Sequence, residues 1–112
     1  MKRNLTLFLE DILESITLIE RYTKNMNQSN LEKNREAQDA VARRIEIIGE
    51  AAKNIPYAFR NKYPQVPWKD MASMRDVLIH AYFGIELERV WNVIQKELPK
   101  LKKQIQQILK EI

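Results

Sequence analysis

The sequence predicts an all-α protein, an antiparallel bundle of four main helices with short helical turns between them. Apolar residues recur at three- and four-residue steps along the long segments, and no stretch of useful length alternates apolar and polar residues. Only 2 glycines and 4 prolines occur among 112 residues, of which 30% are charged and 45% hydrophobic. This composition suits a compact helical protein better than a sheet. We expect residues 1–112 to form one domain with an ordinary small core.

The first two long helices each carry an apolar stripe. From about residue 4 to 25 the stripe consists of Leu5, Phe8, Leu9, Ile12, Ile16 and Ile19. Ser29 and Glu32 then have the spacing of a capping box, which predicts a short helical turn. The second stripe consists of Ala37, Val41, Ile45, Ile48, Ala52 and Ile55. Further apolar residues widen it, which favours a second packing partner, most simply another subunit: Ala40, Ile47 and Ala51.

Prolines divide the middle of the chain. Pro56 stops the second helix, and residues 57–63 are predicted to form a short turn of helix bounded by Pro64. Pro67 suits the first position of a third helix that runs to about Phe83.

A fourth helix is predicted from about Glu86, after Gly84 has interrupted the pattern. Pro99 lacks an amide hydrogen, so it either kinks this helix or starts a new one. The stripe that continues to the C-terminus consists of Leu98, Leu101, Ile105, Ile108 and Ile112. The lysines beside this stripe could bind a part of the RNA that flanks the site, a protein partner or no ligand. They are Lys100, Lys102, Lys103 and Lys110.

The chain contains no cysteine and a single histidine, which excludes several classes of site. A disulfide framework, a thiolate metal site and a thiolate nucleophile are ruled out. The carboxylates are spaced as solvated helix faces, so we expect neither a metal site nor a cofactor. No apolar run resembles a signal peptide or approaches the roughly 20 residues needed to cross a bilayer. We therefore expect a soluble, cytoplasmic protein.

The net charge of +4 is less informative than its distribution. The segment between Ala51 and Lys69 has no acidic residue, and its cations are Lys53, Arg60, Lys62 and Lys69. Interleaved with them are the aromatic residues Tyr57, Phe59, Tyr63 and Trp68. Single-stranded RNA surfaces combine cations that neutralise phosphate with rings on which bases stack. We expect the rings to belong to the core, whereas the cations either bind RNA phosphates or are merely solvated.

The strongest chemical signal lies in Arg75, His80 and Tyr82. Any proton transfer by an imidazole must use His80, the only histidine. Arginine presents a fixed fork of donors suited to phosphate oxygens, and an imidazole can move protons. Asp76 lies four residues before His80 and can orient its ring on a helix. These residues predict metal-free cleavage of a phosphodiester, although for an arginine–histidine pair alone an ordinary surface or core histidine is the preferred interpretation.

The pattern Arg-x-x-x-x-His-x-Tyr resembles the signature of the HEPN ribonucleases, in particular the HepT toxins of prokaryotic toxin–antitoxin pairs. The resemblance extends to residues 38–41 and 45–53, the Pro-Trp pair at 67–68, the exit from the motif at residues 82–85 and the pair at 90–91. Only about the first 30 residues match by helical pattern alone. Two motif positions depart from the common form: Asp76 stands where asparagine is usual, and Ala81 replaces an acidic residue. With the surrounding segments, the motif favours a functional site.

The resemblance implies a HEPN-like bundle that dimerises through the motif helix. On an ideal helix Arg75 points roughly 140° away from His80, so a shared site needs a distorted helix or a second copy of the motif. In the HEPN family the composite site forms at the dimer interface. The implied reaction is transesterification of RNA without a divalent metal, in which His80 acts as general base or acid and Arg75 stabilises the developing phosphorane charge.

The resemblance also implies a partner and an alternative. In HepT toxins the antitoxin, an MNT-type nucleotidyltransferase, modifies with AMP the tyrosine that corresponds to Tyr82. HEPN domains also occur without catalysis, so the alternatives are a nucleotide- or RNA-binding module and a helical interaction module. Glu46 and Glu50 could form a catalytic carboxylate pair, but a solvated helix face is the preferred interpretation. Trp68 and Trp91 are interpreted as core residues.

Overall fold

A computed structural model describes residues 4–74 and 87–112, and these residues form helices and turns without a strand. The helices are α1 (Leu5–Tyr22), α2 (Gln28–Lys33), α3 (Arg35–Lys53), α4 (Tyr57–Arg60), α5 (Trp68–Ala72), α6 (Leu87–Asn92) and α7 (Leu98–Glu111). A π-helical turn at Val93–Glu97 joins α6 to α7. The predicted all-α class is confirmed.

The core lies where α1 packs against α3 and α7, and α5 packs against α3. The apolar stripes are the faces that meet there. Fully or almost fully buried are Leu9, Ile12, Ile16 and Ile19 of α1, Val41, Ile45 and Ile48 of α3, and Leu98, Leu101, Ile105 and Ile108 of α7. None of the described helices combines the length and the hydropathy needed to span a bilayer.

Asparagine side chains cap the first three helices. Asn27 and Asn30 form the reciprocal capping box of α2, each side chain accepting a 2.8 Å hydrogen bond from the backbone N–H of the other. The predicted box at Ser29 and Glu32 is therefore wrong, because α2 begins one residue before Ser29 and Asn27 has the extended backbone of an N-cap. Asparagine and serine cap equally well, so spacing alone did not separate the two pairs.

Pro99 is the second residue of α7, and no break separates α7 from the helical residues before it, because Asn92, Glu97 and Leu98 all have right-handed helical backbone angles. The π-helical turn at Val93–Glu97 precedes α7 directly. A wider turn at this point accommodates the proline ring, which in a regular helix would clash with the carbonyl four residues earlier.

The helix that follows Pro67 is interrupted at Ser73, and Met74 beyond it is helical again. Pro67 is the N-cap and not the first helical residue, and α5 ends at Ala72 with Ser73 as its C-cap. The Ser73 hydroxyl donates to the carbonyl of Lys69 at 3.0 Å, a local bond that competes with helix continuation. The remainder of the predicted helix, up to Phe83, lies outside the described residues.

Candidate functional site

The predicted catalytic and modified residues lie outside the described part of the chain. Arg75, His80, Asp76, Tyr82 and the divergent position Ala81 all fall between the described ranges. Their roles stay predictions from the sequence. The structure describes the framework on either side of them and the basic segment that precedes them.

Both flanks of the motif segment are anchored in the core. On the N-terminal side Trp68, Met71 and Met74 are 5%, 0% and 8% exposed. The Trp68 indole Nε1 donates to the carbonyl of Tyr63 at 3.0 Å, which fixes α5 against the preceding turn. On the C-terminal side Val90 of α6 is 3% exposed. The motif is therefore inserted between two anchored helical segments.

Arg60 is the cation whose surroundings the structure defines best. Its Nε donates to the carbonyl of Ile55 at 2.9 Å and its Nη2 to the carbonyl of Ala52 at 2.7 Å. Ala52 lies in the last turn of α3, where the helix dipole is negative, and its carbonyl also accepts from the Ile55 N–H at 3.2 Å, whereas Ile55 follows the C-cap of α3. Arginine has five N–H donors, so part of its fork stays available for phosphate. The sequence did not reveal this capping role, because it depends on how α4 folds back.

Replacing Arg60 by alanine is expected to lower the free energy of unfolding by about 1–3 kcal/mol, because two carbonyls lose a charged donor. Urea denaturation followed by circular dichroism measures the difference. The matched control is Arg35→Ala, since the Arg35 side chain is 84% exposed and lies 4.0 Å from Asp39 in a surface ion pair. Its loss is expected to change stability by less than about 0.5 kcal/mol. Equal effects of the two substitutions would contradict the capping role.

The three predicted phosphate-binding lysines are all exposed. Lys53 is the last residue of α3, Lys62 follows α4, and Lys69 is the second residue of α5. Among the described residues, no carboxylate forms an ion pair with any of them. They are therefore available to an anionic ligand, as the sequence-based hypothesis requires.

The four aromatic rings of this segment fall into two groups. Phe59 packs against Tyr63 with ring centroids 5.1 Å apart and against Trp68 at 6.4 Å. The prediction of core rings is confirmed for Trp68, which is buried, and these neighbours pack beside it. It is wrong for Tyr57, whose side of α4 faces solvent: this residue is 78% exposed.

The C-terminal helix is tied to the basic segment. Gln104 Nε2 donates to the carbonyl of Gln65 at 3.0 Å. Burial raises the pKa of Tyr63, and a hydrogen bond and the negative charge of Glu111 raise this pKa further. Lys102 Nζ forms a 2.7 Å ion pair with Glu20 of α1. The other lysines of α7 face solvent: Lys100, Lys103 and Lys110.

A groove of about 570 Å³ separates the exposed edges of α1 and α3. Its walls carry both signs of charge, including Asp11 and Glu14 of α1 and Arg44 of α3. Glu46 lies 3.6 Å from Arg43 in an exposed ion pair, in agreement with a solvated helix face. Within residues 4–74 and 87–112, no cluster of three or more histidine, aspartate or glutamate residues could hold a metal ion.

Comparison with known proteins adds a family match. The family profile described as "HepT-like: Ribonuclease HepT-like" matches residues 12–108, which include the whole motif segment. No solved structure gives a significant match.

Similar proteins come from archaea and bacteria, and several archaeal ones match nearly the whole chain. A Methanocaldococcus jannaschii protein named as a gamma-glutamylcyclotransferase and candidate RNase is 50% identical over 112 residues, which are 100% of this chain and 50% of that protein. The chain thus spans half the length of this relative. A second M. jannaschii protein, named as a candidate RNase, is 47% identical over 99% of this chain and 92% of its own length. A Thermococcus cleftensis protein named "probable ribonuclease HepT" is 44% identical over 98% of this chain and 100% of its own length.

Proposed function

Because the chain belongs to the HepT-like ribonuclease family, we propose that it is a metal-independent endoribonuclease and the toxin component of a type VII-like toxin–antitoxin pair. The observation that carries this proposal is the presence of Arg75, His80 and Tyr82 within the matched residues. A helical scaffold has no chemical need for all three. We take residues 1–112 as a single HEPN-like domain.

The proposed reaction is an intramolecular transesterification in RNA. His80 removes the proton from a ribose 2′-hydroxyl, whose oxygen attacks the adjacent phosphorus, or it donates a proton to the departing 5′-oxygen. Arg75 stabilises the charge that accumulates on the phosphorane, and Asp76 orients the imidazole. The bond to the 5′-oxygen breaks, which leaves a 2′,3′-cyclic phosphate and a 5′-hydroxyl. DNA has no 2′-hydroxyl and is not a substrate.

A homodimer would complete the site. Arg75 and His80 diverge by roughly 140° on an ideal helix, so two crossing motif helices would place an arginine of one copy near a histidine of the other. Apolar surface outside the core is consistent with a partner: Ala40 and Ile47 of α3 are only half-buried. Ala51 does not contribute to this apolar surface, because it is 4% exposed in the single chain.

The remaining partners are the RNA and an antitoxin. Lys53, Lys62 and Lys69 are proposed to neutralise RNA phosphates, and Arg60 does so with the donors that α3 leaves available. The antitoxin is an MNT-type nucleotidyltransferase that transfers AMP to Tyr82. An added phosphate beside the arginines would compete with RNA for the same cations.

The wild-type protein is expected to cleave single-stranded RNA in the presence of EDTA and to leave DNA of the same sequence intact. Gel electrophoresis measures cleavage, and mass spectrometry identifies the 2′,3′-cyclic phosphate. A preparation of the double variant Arg75→Ala/His80→Ala, purified in parallel, controls for contaminating nucleases. A requirement for added magnesium would contradict the mechanism. RNA binding without cleavage would instead favour the non-catalytic alternative.

A further inference from the structure

Tyr57 is an aromatic residue in an unusual position. Among the described residues, the exposed large hydrophobic side chains are Leu7, Tyr57 and Ile112, of which Tyr57 is the most exposed and the only aromatic. It is 78% exposed at the first position of α4. Its neighbours Phe59 and Tyr63 pack against the core. The ring of Tyr57 therefore contributes little to the core and is available to a ligand.

The ring of Tyr57 contacts a cation that is itself anchored by the backbone. The guanidinium carbon of Arg60 lies 5.0 Å from the centroid of the Tyr57 ring, within the range of a cation–π contact. The guanidinium is itself held by the carbonyls of Ile55 and Ala52. Because the cation is anchored to the end of α3, the ring that rests on it loses little further freedom when a ligand binds.

The charges around the ring are complementary to a nucleic acid. No acidic residue occurs between Ala51 and Lys69, and the exposed Lys53 and Lys62 precede and follow α4 in the sequence. The other exposed residues of α4 and its two ends are Pro56, Ala58 and Asn61, so Tyr57 is the only large apolar side chain that is exposed within residues 56–61. A single ring among cations fits a base flanked by phosphates better than an apolar protein surface.

We propose that Tyr57 is a stacking platform for one unpaired base of RNA, with Lys53 and Lys62 neutralising phosphates next to that base. The inference rests on the proposal that RNA is the substrate, and it assigns a base-binding position outside the Arg75–His80 motif. The ring face that is not covered by Arg60 accepts the base. Stacking of this kind tolerates any base, so the platform adds affinity and not sequence specificity.

Binding to a 2′-O-methyl RNA tests the inference without interference from cleavage, because this RNA lacks the attacking hydroxyl. The probe is a fluorescent single strand of about 12 nucleotides, within the site sizes that such surfaces cover. Fluorescence anisotropy gives Kd over a series of salt concentrations. Tyr57→Ala is expected to weaken binding roughly 5- to 100-fold at every salt concentration with an unchanged salt dependence. Tyr57→Phe keeps the ring and is expected to bind as the wild type does.

Two further variants separate stacking from charge. The double variant Lys53→Gln/Lys62→Gln is expected to reduce the slope of log K against log salt by about 1.4, because two phosphate contacts are lost. Leu7→Ala, which shortens an exposed apolar side chain on α1, is expected to change neither affinity nor slope. Circular dichroism verifies that each variant is folded.

Wild-type affinity of Tyr57→Ala would overturn the inference, as would an equal loss in Tyr57→Phe or Leu7→Ala. If Tyr57→Ala instead changes the oligomeric state in sedimentation, the ring belongs to a protein interface and the inference also fails. If the protein does not cleave RNA but the inference is correct, the result is different. The wild type then leaves RNA intact, while binding of the 2′-O-methyl strand still depends on the Tyr57 ring.

Discussion

Replacing His80 by alanine is expected to lower the rate of RNA cleavage by at least about 100-fold, because general acid–base catalysis by a positioned side chain contributes roughly 10²–10⁴. Arg75→Ala is expected to cause a loss of at least similar size, since a preorganised charge on the transition state contributes about 10²–10³. Arg75→Lys tests geometry: lysine keeps the charge but loses the planar fork that binds two phosphate oxygens. Initial rates on a labelled single-stranded RNA measure all three.

Glu46→Gln is the matched control for the motif variants. Glu46 lies in an exposed ion pair with Arg43 on α3, and the substitution removes a charge without changing the shape of the side chain. We expect cleavage at the wild-type rate. Activity that survives in both His80→Ala and Arg75→Ala, or that disappears in Glu46→Gln, would place the chemistry elsewhere.

Mixing the two inactive variants tests the composite site. One active centre is expected to use Arg75 of one protomer and His80 of the other. When Arg75→Ala and His80→Ala chains are co-expressed, each mixed dimer then contains one active centre in which both residues are intact. Random pairing makes roughly half of the dimers mixed, so part of the activity is expected to return. If each chain contains its own complete site, mixing restores nothing and the dimer argument fails.

The core residues could be predicted because the buried face of a helix repeats with the period of the helix itself. Residues such as Ile16, Ile48 and Ile105 fall on the predicted stripes, and each is 0% exposed. A helix that packs on one side must place its apolar residues at three- and four-residue steps, whatever lies opposite. The order and type of the main helices therefore required no knowledge of their packing partners.

Features that depend on how a short segment folds back on the chain could not be predicted. Arg60 was interpreted only as a possible phosphate ligand, but it also donates to carbonyls of Ile55 and of Ala52, eight residues before it. Tyr57 was assigned to the core with its neighbours, but α4 is a four-residue helix whose first ring faces solvent. In such a short element, periodicity gives too few positions to define a buried face.

The candidate site was inferred from residue chemistry and family resemblance, and the two sources support different parts of it. Arg75 and His80 have the chemistry of a phosphate ligand and a proton carrier, but the pair alone fits an ordinary surface or core histidine better, and the surrounding family segments favour the functional interpretation. Nothing in the chemistry of a tyrosine indicates that Tyr82 is modified. That prediction depends on the family, to which the comparisons confirm that the chain belongs, so it requires a test of its own.

Incubation with an MNT-type nucleotidyltransferase and ATP is expected to attach AMP to Tyr82 and to suppress RNA cleavage. The tyrosine oxygen attacks the α-phosphorus of ATP, pyrophosphate leaves, and the phenolic proton passes to solvent. The new phosphodiester places negative charge and bulk near Arg75, where both oppose the approach of RNA phosphates. Intact-mass spectrometry measures the adduct, and a cleavage assay of the same sample measures the loss of activity.

Tyr82→Phe is expected to abolish the adduct, because it removes the acceptor oxygen and keeps the ring. The variant should cleave RNA before and after incubation, and adding the partner without ATP measures inhibition by non-covalent binding. The matched control is Tyr57→Phe, which removes the hydroxyl of a ring that is 78% exposed and should be modified as the wild type is. If Tyr82→Phe gains the same AMP mass, the modified hydroxyl lies elsewhere in the chain. Loss of the adduct in Tyr57→Phe alone would then identify Tyr57 as the acceptor.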